Sequence, residues 1–185
     1  CRLIQVIPTS PDSGWYVGFN NAWIVKLPPV PTARYARAFL GAKVGRAKAA
    51  PVAGQRGKRA PVPGKVYVAI SDKPAFKSEQ SFFLADTRDL PLEADPAAYA
   101  PGAGASDWFW AEVPLRLISS ESENFLIAWS PTDYFTSPSS SPILAACDPP
   151  QGFRPSAPIA WNNHSLHGVP PRAEEGPLEP PVHNL

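Results

Sequence analysis

A chain of 185 residues with a net charge of +1 is long enough for one domain. It can bury roughly 70% of its unfolded surface without metals or many disulfides. An apolar fraction of 44% argues against global disorder, and the near-zero net charge gives no global argument for nucleic acid. No apolar run reaches the ~20 residues of a membrane-spanning helix. Proline is the outlier, with 25 residues, which belong in loops, sheet edges and extended arms.

The chain opens on Cys1 and contains no methionine, so the expectation is a processed or late-starting chain. Cys147 is the only other cysteine. Three states stay open for Cys1. It bridges to Cys147, it carries a lipid on its sulfur, or it is free. The bridge and the lipid exclude each other, because both use the same sulfur. A polar tether usually follows a lipidated cysteine, whereas "CRLIQVIP" runs straight into an apolar segment. A Cys1–Cys147 bridge would staple the first strand to the last and contribute about 4–5 kcal/mol in the chain-entropy model. Bridge and lipid alike place the protein outside the cytoplasm, whether secreted, periplasmic or at the cell surface.

Ten segments rich in β-branched and aromatic residues, bounded by Pro, Gly, Asp, Asn and Ser, read as strands. They are 3–7, 14–19, 21–27, 34–44, 65–70, 81–86, 107–113, 115–119, 124–130 and 142–146. Alternation supports several of them. Ala36, Ala38, Leu40, Ala42 and Val44 form one face of the fourth, with Tyr35, Arg37, Phe39 and Lys43 on the other. Val66, Val68 and Ile70 share a face. In 125–129, Phe125, Ile127 and Trp129 oppose Leu126 and Ala128, which predicts a strand covered on both sides. No stretch holds a helical period beyond a turn or two. The expected fold is therefore an antiparallel β-sandwich over residues 1–147.

Two insertions interrupt the strands, at 45–64 and 87–106. The first carries Arg46, Lys48, Arg56, Lys58, Arg59 and Lys65 with no acid, and reads as a mobile basic hairpin loop. As a patch it would take anionic lipid head groups, acidic polysaccharide or an acidic partner. No aromatic residue is interleaved for base stacking, which argues against nucleic acid. From Asp148 onward nine prolines fall in 38 residues without a sustained hydrophobic period. Residues 148–185 read as a stiff, extended arm, with "PIAWNN" (158–163) adding one edge strand.

Catalytic signatures are missing. There is no nucleophile elbow, phosphate-binding glycine loop or dinucleotide fingerprint. His164, His167 and His183 all lie in the arm, and two or three histidines there do not make a zinc site. No cofactor or metal is expected. A glycosidase needs two acids flanking one bond, and nothing pairs a second acid with Glu112 among Asp107, Glu121, Glu123 and Asp133. The expectation is a non-catalytic chain.

"DWFWAEV" (107–113) carries the candidate site. As a strand it sends Phe109, Ala111 and Val113 to the core and Trp108, Trp110 and Glu112 to the opposite face. Two tryptophans two apart stand about 7 Å from one another. Such a row can stack sugar rings beside a carboxylate that accepts hydroxyl hydrogen bonds. Alternatively, the chain's own arm or a protein partner covers it. Trp15, Trp23, Trp129 and Trp161 read as packing residues.

The succession "YARAFLGAKVG", "KVYVAIS", "WFWAEVPLRLI" and "NFLIAWS" resembles a jelly-roll β-sandwich of the kind found in carbohydrate-binding modules and galactose-binding-like domains. The resemblance covers roughly residues 14–146. It implies a binding or structural domain outside the cell and transfers no sugar-binding residue. The chain lacks the acidic calcium-site cluster of such domains. Two functions follow as expectations. One is recognition of carbohydrate through Trp108, Trp110 and Glu112. The other is a structural subunit of a surface or membrane-associated assembly that docks through its arm. Membrane contact would come from lipidated Cys1 or from the basic loop.

Overall fold

Two antiparallel sheets pack face to face. The structure is a computed structural model and describes residues 10–19, 22–93, 106–146 and 160–162. Its strands are β1 (Ser10–Tyr16), β2 (Ala22–Leu27), β3 (Ala38–Gly45), β4 (Ala49–Pro51), β5 (Arg59–Pro61), β6 (Lys65–Ser71), β7 (Ser81–Asp86), β8 (Ser106–Val113), β9 (Asn124–Trp129), β10 (Ile143–Ala146) and β11 (Ala160–Asn162). One sheet runs β1-β10-β3-β8 and the other β11-β2-β9-β6-β7, with β4 and β5 forming a separate hairpin.

The pairing is nested. β6 pairs with β7, β3 with β8, β2 with β9, and β1 with β10, each pair antiparallel. A long hairpin with its apex between β6 and β7 has been rolled into two sheets, which is the jelly-roll connectivity. The expected all-β sandwich is what forms. No helix among the described residues is long and apolar enough to cross a membrane.

The main core lies between the sheets. Leu40, Ala42 and Val44 of β3 meet Val66, Val68 and Ile70 of β6, with Ala111 and Val113 of β8 and Ala128 of β9 completing it. The period of two read from the sequence therefore points its apolar sets inward. A second apolar cluster sits on the outer face of the five-stranded sheet. Ala22, Ile24, Ala69, Ile127 and Trp129 pack there with Phe76 from the β6–β7 connection. β9 is covered on both sides as expected, and Trp129 is the packing residue predicted, its Nε1 donating to Ser81 Oγ at 2.9 Å.

Three expectations about elements change. The predicted strand 115–119 is a 3₁₀ turn, Leu115–Leu117. Pro114 carries no N–H for a ladder, and Leu117 and Ile118 pack against the core edge instead. The strand expected at 34–44 starts only at Ala38, after a 3₁₀ turn at Thr32–Arg34. The strand expected at 14–19 forms instead over Ser10–Tyr16, starting in the turn-rich "SPDS". That start is tolerated because β1 is an edge strand whose register shifts between Pro11 and Tyr16. The expected strand 3–7 lies outside the described residues. Within the expected edge strand 158–163, residues 160–162 form β11 on β2, with Trp161 in register with Trp23, and the rest of 148–185 lies outside the described residues.

Candidate functional site

The outward face of β3 and β8 is built by register. Among the described residues, β8 is the edge strand of its sheet and pairs with β3 alone. Phe39 stands opposite Glu112, Gly41 opposite Trp110, and Lys43 opposite Trp108. Ala111 and Val113 are buried and Phe109 packs against the same core, so the alternate residues face outward as the sequence implied.

The two tryptophans stack on one another. Their ring centroids are 5.3 Å apart with 19° between planes. Trp110 is 49% exposed, while Trp108 is half-buried. Gly41 makes room for this. A Cβ there would sit 2.4 Å from Trp110 Cζ3, so the indole leans into a slot that only glycine leaves open. Phe39, 47% exposed, extends the aromatic surface across the strand pair.

Glu112 does not stand as a bare acceptor. Arg37 Nε donates to Oε1 at 2.8 Å and Nη2 to Oε2 at 2.7 Å, a two-point pair in solvent. The Arg37 guanidinium also lies 4.9 Å from the Phe39 ring centroid. The hydrogen bond from Arg37 holds the Glu112 carboxyl below the usual glutamate range. Each carboxylate oxygen keeps a further lone-pair site, so acceptance from a ligand hydroxyl remains open to it. Arg37 and Phe39 thus join the site. The alternation of 35–44 had placed them on one face. What it lacked was the register that sets that face beside β8.

The basic set of the first insertion divides. Arg56, Lys58 and Arg59 are exposed on the β4–β5 hairpin, where Arg59 Nη2 donates to the Ala49 carbonyl. Arg46 and Lys48 are buried, which corrects their expected place in a surface patch. Both reach Glu93. Its Oε1 accepts from Arg46 Nε at 3.1 Å, Arg46 Nη2 at 2.8 Å and Lys48 Nζ at 2.8 Å. The Glu93 side chain is 4% exposed. Burial lowers the Lys48 pKa, with Glu93 opposing that shift. Arg46 takes φ = 51°, a left-handed backbone rare outside glycine, in the reversal that ends β3. The backbone locks the same junction, with Ala47 N–H on Pro91 O and Glu93 N–H on Ala47 O, both 3.0 Å. The insertion is therefore anchored at its first root by a buried ion cluster, while its tip and Lys65 at the start of β6 present charge.

Other sequence candidates fall differently. Cys1 and Cys147 lie outside the described residues, as do His164, His167 and His183. Among the described residues, no three His, Cys, Asp or Glu side chains converge as metal ligands. Glu123 pairs with Lys26, and Asp107 Oδ1 accepts the Trp108 N–H at 2.7 Å. No family model matches the chain, and searches of curated proteins and of solved structures return no match either.

Proposed function

We propose that this jelly roll is a non-catalytic binding module that recognises carbohydrate through the outward face of β3 and β8, in an extracytoplasmic setting. The observation that carries the reading is the half-exposed Trp110, held by Trp108 on one side and by the Gly41 slot beneath. A ring fixed in this way loses little entropy when a sugar stacks on it. Phe39 offers a second apolar surface, and the Arg37–Glu112 pair supplies donors and acceptors for hydroxyl groups.

Tryptophan fluorescence titrated with soluble oligo- and polysaccharides tests the proposal. A saturable change in the wild type is expected, lost in Trp110→Ala and weakened in Arg37→Ala. A flat response across the panel sinks it.

A second reading is supported by the position of β8. An eight-residue edge strand with an exposed aromatic side chain is a surface on which another chain could dock. In that reading the protein is a structural subunit of a larger assembly. Light scattering would then show self-association that Trp110→Ala reduces, with no response to sugars.

A further inference from the structure

A cleft of about 350 Å³ lies between the 115–121 segment, the end of β6 and the turn before β7, and none of the aromatic-face residues lines it. Asp72, Gln80, Arg116, Ser119, Ser120 and Glu121 supply its polar lining. Its volume lies at the low end of small-ligand sites, but its chemistry differs from theirs, because apolar surface contributes little.

The walls are braced from within. Asn124 is buried and its amide Oδ1 accepts the Ser119 N–H at 2.7 Å, while Nδ2 donates to Ser119 O at 3.0 Å and Pro28 O at 3.3 Å. Ser119 Oγ in turn accepts the N–H groups of Glu121 and Ser122. Gln80 is spent on structure, its Oε1 taking the Lys77 N–H and its Nε2 reaching Ser71 Oγ. Three charged side chains are left for a ligand. Asp72, Arg116 and Glu121 line one cleft, yet none of them forms an ion pair among the described residues.

We infer that this cleft is a second site, for a small neutral polyol such as a single pyranose, held through its hydroxyls rather than by stacking. Two carboxylates accept hydroxyl hydrogens, and a planar guanidinium donates to two neighbouring oxygens at once. Among the described residues no aromatic ring lines the cleft, so hydroxyl contacts rather than stacking would hold a sugar there. The inference does not depend on the aromatic face binding anything.

Saturation-transfer NMR in a polyol-free buffer tests it, with glucose, galactose, mannose and myo-inositol as probes and free arginine as the cationic rival. At least one neutral polyol should bind saturably. Asp72→Asn and Arg116→Gln, both at exposed positions, should each weaken it about tenfold or more while Trp110→Ala leaves it unchanged. Unaltered melting of the two cleft variants shows that a loss of binding is not a loss of fold. Binding of arginine alone overturns the polyol assignment. An absence of saturable binding, or binding lost only in Trp110→Ala, overturns the site itself, and the last result would leave the aromatic-face proposal standing.

Discussion

Single residues carry most of the electrostatic consequence. Glu93 is the carboxylate that two buried cations share, so its removal should cost far more than an exposed ion pair. Glu93→Ala is expected to lower unfolding free energy by about 3–5 kcal/mol in urea denaturation. Glu93→Gln keeps an acceptor oxygen and should recover part of that. Glu112 behaves oppositely, because it lies in solvent. Its folded pKa is lowered by Arg37, so the folded state gives up that proton at lower pH than the unfolded chain. The stabilisation is complete above the unfolded value, about 4.3, and is lost as pH falls through the lower folded value. Carboxyl ¹³C titration should show a Glu112 midpoint below that of ordinary glutamate, returning toward it in Arg37→Gln. A midpoint indifferent to Arg37 would mean that the pair does not persist in solution.

At the scale of elements, two glycines record how closely strands and loops approach one another. A Cβ on Gly64 would fall 2.3 Å from Phe135 Cζ, and Phe135 is fully buried. A Cβ on Gly41 would meet Trp110, which is half-exposed and can swing away. Gly64→Ala should therefore cost about 1–3 kcal/mol through overpacking, with Gly41→Ala costing less. The signature of Gly41→Ala is a change in tryptophan emission as the stack on Trp108 opens. Equal costs for the two variants would refute this account of the slot. The individual strands were largely legible in the sequence, because alternation alone sorts Leu40, Ala42 and Val44 from Phe39, Gly41 and Lys43. The failures have local causes. Pro114 turns the chain where apolar residues suggested a strand, and β1 runs over Ser10–Tyr16 rather than 14–19 because an edge position tolerates the turn residues at its start.

At the scale of the whole molecule, the sandwich is closed by the pairing of an early strand with a late one. β1 and β10 pair at one edge of the sandwich, with Ser10 opposite Ala146. Cys1 and Cys147 lie outside the described residues, and the bridge between them stays an expectation from the sequence. Intact mass under non-reducing conditions should be two hydrogens lighter than under reducing ones, with no alkylation of the native chain. Alkylation at both cysteines, or an added lipid mass, would remove the bridge and its stabilisation.

The sequence by itself determined the class of this protein. Strand period, turn residues and the lack of helical repeats are local properties, and each is written within a few neighbouring side chains. It also determined which residues of "DWFWAEV" face outward, since a strand alternates whatever lies beside it. Tertiary structure alone decided what those residues meet. Arg37 lies 75 positions from Glu112, and Glu93 lies 47 from Arg46. Such pairs depend on strand order and register, which arise when the two sheets close over a shared core. The same closure split the basic run, because the root of the insertion was drawn under the sandwich edge while its tip stayed in water. A charge pattern along the chain carries no record of which of its members will be buried.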